Sequence, residues 1–198
     1  MNRARVTGLI LAGGLGRRMG GADKGLQCFR GRPMVEWVIA RLRPQVETLL
    51  INCNQNATSY AAYGYPVVAD EITGFAGPLA GLHAGLMRAT TPLLASSPCD
   101  SPFLPLDLVE RLVAAMQASQ AELAVAKTAD QPHPVFSLCR REVLDSLVRF
   151  LGAGGRKIDV WYATLNAVEV AFDDEANAFA NINTLAELTA LERMEFHA

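Results

Sequence analysis

The chain has 198 residues, of which 51% are hydrophobic and 19% charged, with a formal net charge of −2. That balance predicts one globular domain over residues 1–198 with a sizeable core, and it excludes disorder and a generally basic, nucleic-acid-binding surface. No apolar run approaches the roughly 18 residues of a membrane span, and the charged start leads into a run only one strand long, so the expected location is the cytoplasm, with no membrane partner.

Taken in chain order, strand-like and helix-like segments alternate. Val6–Leu11 is a continuous apolar run, as in a strand buried on both faces. A glycine-rich loop follows. Pro33 then fits the first turn of a helix with Val35, Val38, Ile39 and Leu42 on one face, ended by Pro44. Residues 46–51 read as a second strand, 58–63 as a short helix and 66–69 as a third strand ending at Asp70. Pro78 opens a helix with Leu79, Leu82, Leu86 and Met87 on one side. Residues 92–96 form a fourth strand running into Ser97-Pro98-Cys99-Asp100-Ser101-Pro102. A helix over 106–116, strands at 123–126 and 134–138, a helix over 141–151 and a strand at 168–172 follow. Thr184 with Glu187 reads as the capping box of a final helix. The alternation predicts an α/β sandwich on a mostly parallel sheet, whose ligands gather at the carboxyl ends of the strands.

The first strand ends in Leu11-Ala12-Gly13-Gly14-Leu15-Gly16-Arg17-Arg18-Met19-Gly20-Gly21-Ala22-Asp23-Lys24. Glycines let backbone N–H groups approach an anion, and Arg17, Arg18 and Lys24 add charge where a polyphosphate would lie. A P-loop is excluded, because Lys24 is followed by Gly25 and not by a hydroxyl residue. The dinucleotide fingerprint also fails, since Gly14-x-Gly16 is completed by Met19. The remaining readings are a phosphate cradle of a third kind or a plain surface turn.

The other strands deliver Asn52, Asp70 and Asp100 to the same edge. Asp100 opposite a cationic loop suits a divalent ion bridging it to phosphate, because magnesium takes one or two carboxylates plus substrate oxygens. The alternative is a turn aspartate, and the same holds for Asp70. Neither Ser nor Cys shows a nucleophile-elbow pattern, so direct transfer to an acceptor that carries its own nucleophile is the reaction class left. His83 reads as a packing or solvent-facing residue, and His133 as packing or a substrate contact. Cys28, Cys53, Cys99 and Cys139 lack metal-ligand spacing and read as reduced small hydrophobes, Asp100 being the better functional candidate beside Cys99.

Leu11-Ala12-Gly13-Gly14, Arg18-Met19-Gly20 and Asp23-Lys24 resemble the signature of small GT-A-like nucleotidyltransferases. Asn52-Cys53-Asn54, Gly77-Pro78-Leu79-Ala80-Gly81, Pro98-Cys99-Asp100-Ser101-Pro102 and Asn181-Ile182-Asn183-Thr184 extend the resemblance to the molybdenum cofactor guanylyltransferases. The resemblance implies a three-layer, Rossmann-like sandwich that joins GMP from GTP to the phosphate of molybdopterin and releases pyrophosphate. It also implies Mg²⁺, with Mn²⁺ as an alternative ion. Carried over, Leu11, Ala12 and Gly13 contact GTP, with Gly14 in the same loop. Lys24 contacts the phosphates, and Arg18 and Gly21 position the triphosphate. Asn52 and Asp70 meet the guanosine, Asp100 holds nucleotide and metal, and Asn181 and Asn183 face the pterin. Lys24, Asp100 and Arg18 are the implied catalytic set.

Cytidylyltransferases of this fold tend to begin Leu-Ala-Ala-Gly, so Gly13 favours guanine by leaving room for a purine. Gly16 stands where many relatives carry a small hydroxyl residue. Three alternatives stay open: a molybdopterin cytidylyltransferase, a sugar-phosphate guanylyltransferase and a non-catalytic nucleotide-binding subunit. The resemblance further implies transient contact with molybdenum-insertion proteins or molybdoenzyme chaperones.

Overall fold

The computed structural model describes residues 5–14, 23–72, 77–180, 182 and 187. In chain order these form β1 (Val6–Leu11), β2 (Cys28–Phe29), β3 (Arg32–Pro33), α1 (Met34–Leu42), β4 (Thr48–Asn52), α2 (Ala57–Ala61), β5 (Val67–Val68), α3 (Pro78–Arg88), β6 (Leu93–Pro98), α4 (Leu108–Ser119), β7 (Leu123–Thr128), β8 (Gln131–Arg140), α5 (Leu144–Gly152), α6 (Ile158–Tyr162) and β9 (Ala167–Ala171). The predicted capping box at Thr184 lies outside the described residues.

The strands build a seven-stranded sheet in the order β5-β4-β1-β6-β8-β7-β9. β1, β4, β5 and β6 run parallel, β8 alone is reversed, and β7 pairs parallel with β9. β1 therefore lies between two parallel neighbours, which is why its residues are apolar without alternation.

Two cores lie on opposite faces of the sheet. Val6, Ile10, Leu49 and Ile51 pack with Val35, Val38 and Leu42 of α1 and Leu108 and Leu112 of α4. Leu9 and Leu50 point the other way, to Leu79, Leu82 and Leu86 of α3, Leu147 and Leu151 of α5, and Trp161 of α6. Each fully buried Leu or Ile of this kind contributes about 2 kcal/mol relative to an exposed one. The period-2 split along β1 and β4 is what makes the sandwich three layers deep.

Several boundaries differ from the sequence-based expectation. Leu106 is 67% exposed and precedes α4, and Met87 is exposed at the end of α3. β8 is longer than expected because Pro132 and Pro134 do not end it. The β7–β8 register skips from Ser137 to His133 between Val125 and Ala126, which takes Pro134 out of the ladder, and Pro132 lies beyond Ser137, the last β8 residue paired with β6, on a stretch bonded on one side only. The β2–β3 hairpin was not foreseen. It turns through Arg30 and Gly31, both at positive φ (49° and 76°). The small helix α6 was also missed.

Register fixes the functional edge. Leu11 pairs with Asn52 of β4 on one side and with Pro98 of β6 on the other. Beyond the strand end, Ala12 N–H donates to the Asn52 carbonyl at 2.8 Å, and Cys99 N–H donates to the Leu11 carbonyl at 3.1 Å. The glycine loop thus leaves the sheet with Asn52 on one flank and the Asp100 segment on the other.

Candidate active site

Asn52 ends β4 on the same face as Leu50, toward α3, and is only 2% exposed. A buried carboxamide needs partners. Its Nδ2 donates to Asp70 Oδ1 at 2.8 Å and to the Val68 carbonyl at 3.2 Å. Asn54 braces the same carboxylate from the other side: its Nδ2 donates to Asp70 Oδ2 at 2.8 Å, and its Oδ1 accepts the Asp70 N–H at 2.9 Å. Both oxygens of Asp70 are therefore held in one orientation. Asn54 was part of the sequence motif but was not foreseen as a site residue; its signal is its place two residues after Asn52.

Nδ2 of Asn54 also reaches the Gly13 carbonyl at 3.4 Å, which ties the cluster to the first loop. A Cβ at Gly13 would lie 2.9 Å from Asn54 Nδ2 and 3.1 Å from Asn52 Oδ1. The expected reason for glycine here was room for a purine. The structure supplies a nearer one, since the missing side chain makes room for the chain's own asparagines. We expect Gly13→Ala to weaken GTP binding severalfold and narrow the preference over CTP, with a smaller loss of stability than crowding Asn52 more closely would bring. Titration calorimetry with both nucleotides checks this, and unchanged affinities would count against the cluster's role.

On the other flank, Asp100 follows β6 in a loop braced from α1 and the turn after it. Arg41 Nη1 donates to the Leu104 carbonyl at 3.0 Å, and Gln45 Nε2 donates to the Pro105 carbonyl at 2.8 Å. The Asp100 carbonyl accepts the N–H of Ile182 at 3.1 Å, and Ile182 is fully buried with Phe29 and Met34. Asp100 is 7% exposed. Lys24 Nζ stands 3.3 Å from its Oδ2. Burial pushes the Asp100 carboxyl above its ordinary value, and Lys24 opposes that shift without cancelling it. A carboxylate in that state gains from any further cation brought next to it.

The structure thus brings Lys24, Asp100, Asn52, Asp70 and Gly13 to one edge, with Leu11 half-buried, Ala12 buried and Gly14 exposed at the loop's start. Arg18, Gly21, Asn181 and Asn183 lie outside the described residues. Cys99 is buried, and burial raises its thiol well above the usual range, so it stays protonated and non-nucleophilic. His83 is buried in α3. His133 stacks on Phe179 with ring centroids 4.7 Å apart and bonds Thr128 Oγ1 through Nε2 at 2.8 Å, the environment of a packing residue. Burial lowers its pKa, so the ring is neutral at pH 7.

A mostly parallel sheet with a glycine loop at its switch point and a lysine–carboxylate pair beside it defines a nucleotidyltransferase fold. CMP:2-keto-3-deoxy-manno-octonic acid synthetase, solved with CTP, shares this fold at a TM-score of 0.70 and 14% identity, over 96% of this chain and 97% of that one. Molybdopterin-guanine dinucleotide biosynthesis protein A from Archaeoglobus fulgidus superposes at a TM-score of 0.79 with 28% identity, over 94% of this chain and 96% of that one. The molybdenum cofactor guanylyltransferase of Cupriavidus taiwanensis is 55% identical over 96% of this chain and 98% of its own length. A family model of the MobA-like NTP transferase domain matches residues 8–167, and the chain belongs to that family.

Proposed function

We propose that this chain transfers GMP from GTP to the phosphate of molybdopterin, releasing pyrophosphate and forming the guanine dinucleotide. The observation that carries the reading is the Lys24–Asp100 pair at 3.3 Å, set beside the braced Asp70 cluster at the mouth of β1. Family membership supports the donor and the acceptor. A molybdopterin phosphate oxygen forms the new bond to the α-phosphorus of GTP. The bond from that phosphorus to the bridging oxygen breaks, and its electron pair leaves with pyrophosphate.

The protein's part is placement and charge. Lys24 would offer its ammonium to the leaving phosphates, and the amides of the loop that opens at Gly13 would share that charge. Asp70, fixed by two asparagines, is the acceptor that guanosine donors would meet. Asp100 is the residue that would hold Mg²⁺. It is a single buried carboxylate, and among the described residues no three His, Cys, Asp or Glu side chains stand together as a cation cage. That donor set fits an ion arriving with its substrate's phosphates. Bound there, Mg²⁺ would supply charge neutralisation and polarise the phosphoryl oxygens.

No helix among the described residues is long and apolar enough to cross a membrane. Cys28, Cys53, Cys99 and Cys139 are free thiols, which suits action in the cytoplasm, and a cofactor so delivered would pass by transient contact to insertion proteins.

The test offers radiolabelled GTP or CTP with molybdopterin, and GTP with a sugar phosphate in parallel. Label transfer and pyrophosphate release with GTP and molybdopterin alone are expected. Equal transfer from CTP would make it a cytidylyltransferase, and transfer to the sugar phosphate would change the acceptor. GTP binding without pyrophosphate release would mark a non-catalytic nucleotide-binding subunit.

A further inference from the structure

Lys24 has a long, flexible side chain, so something must fix where its backbone starts. It opens a short 3-10 turn, Lys24–Leu26, whose N-cap is Asp23. The Asp23 carboxylate is gripped at both oxygens. Oδ1 accepts the Tyr60 hydroxyl at 2.6 Å and the Gly25 N–H at 3.2 Å, and Oδ2 accepts Asn56 Nδ2 at 3.0 Å. Tyr60 and Asn56 belong to α2 and its N-cap, more than thirty residues away in sequence.

Both side chains turn their polar ends to that carboxylate. Asn56 sits at the N-cap of α2 in the left-handed region (φ 55°), yet its carboxamide makes no cap to its own helix and turns to Asp23. Tyr60 is fully buried in the core beside Cys53 and Cys99. A buried phenol needs a partner, and the one it has is Asp23. A Cβ at Gly25 would stand 2.5 Å from the Tyr60 oxygen and 3.1 Å from Cys99 Sγ, so the turn is seated directly on that hydroxyl. Burial, chiefly, pushes the Tyr60 phenol far above its ordinary value, which keeps it a donor at every working pH.

We propose that Tyr60, acting through Asp23, is a positioning residue that holds Lys24 against Asp100 in register with the nucleotide's phosphates. Asn56 is the second arm of the same grip. The inference rests on the reading of Lys24 as the phosphate-binding cation and extends it to the residues that aim it. Tyr60→Phe removes one oxygen and keeps the ring, so the core stays filled while the turn loses its seat.

The test is a double-mutant cycle on GTP turnover with Tyr60→Phe, Lys24→Ala and the pair. Where Lys24 is present, Tyr60→Phe should lower kcat/KM for GTP about tenfold, in keeping with the sensitivity of transfer to misplacement of about 1 Å. In the Lys24→Ala background the same change should cost less than about twofold, because there is no ammonium left to aim. Equal losses in both backgrounds, or no loss beside Lys24, would overturn the role of Tyr60. Wild-type turnover by Lys24→Ala alone would instead overturn the reading of Lys24. GTP affinity by calorimetry yields the same cycle where turnover is too slow to follow. Asn56→Gly, which preserves the left-handed backbone and leaves the core untouched, repeats the cycle if Tyr60→Phe does not fold. It should show the same coupling to Lys24, and its absence would also count against the grip.

Discussion

Asp100→Asn should abolish most GMP transfer while leaving the protein as stable as before, or more so, at neutral pH. The activity side follows from charge. The carboxylate is paired with Lys24 at 3.3 Å, and losing a preorganised electrostatic partner of a phosphoryl transition state costs about a hundredfold or more. The stability side follows from burial. The folded-state pKa of Asp100 lies above its ordinary value of 3.8 despite Lys24. As pH rises from acid, the unfolded chain therefore gives up this proton first, and the folded form loses stability until Asp100 too has ionised. Above that point the cost is fully present, and an uncharged amide of the same shape avoids it. The stability gain of Asp100→Asn should thus be largest near pH 7 and vanish below about pH 4, where the unfolded carboxyl is protonated as well. Thermal melts of both proteins across that range measure it. Adding GTP with Mg²⁺ should then raise the Tm of the wild type much more than that of the variant. A variant that transfers GMP at normal rates, or that loses stability only at neutral pH, would show that Asp100 is structural.

The contrast between Asp100 and Tyr60 shows what kind of information the sequence holds. Asp100, Asp70 and Asn52 were legible because each follows a buried apolar run, and the carboxyl ends of parallel strands share an edge whatever the details of packing. The helices α3 and α4 were legible from their apolar spacing. Tyr60 was not, because its hydroxyl reaches Asp23 from beyond a hairpin, α1 and β4, and a tyrosine in a short helix reads simply as core. The β2–β3 hairpin failed for a local reason. Gly31 announces a turn, but nothing in an arginine at position 30 announces a positive φ. β8 outruns its expected length because Pro132 and Pro134 argue against a strand interior, whereas the skipped register at Pro134 and the one-sided pairing at Pro132 are properties of how β8 meets β7 and β6. Gly13 reads from the sequence as a residue that leaves room for a purine. The space it leaves is taken by Asn52 and Asn54, which only the fold brings there.

Gly81→Ala should be destabilising although it lies within a helix, where alanine is ordinarily favoured by about 1 kcal/mol. Position 81 is the fourth residue of α3, buried, over the carboxyl ends of β1 and β4. A Cβ there would run into Asn52 Oδ1, and it would stand 2.6 Å from Leu11 Cδ2 and 2.9 Å from Asn52 Cγ. Leu11 could yield, since its side chain is half-buried near the rim. Asn52 cannot yield cheaply, because it is tied to Asp70 and to the Val68 carbonyl. Overpacking of this sort costs about 1–3 kcal/mol, which equals or exceeds the propensity gain. The larger effect falls on binding. Pushing Asn52 aside unhooks one of the two carboxamides that orient Asp70, so KM for GTP should rise about tenfold with a smaller change in kcat, the signature of lost ground-state binding. Asn52→Ala in the Gly81→Ala background separates the two contributions. It opens the space that the new methyl group needs, so the double variant should regain stability over Gly81→Ala alone while its KM stays high. Recovery of both together would place the fault in helix packing and not in the orientation of Asp70.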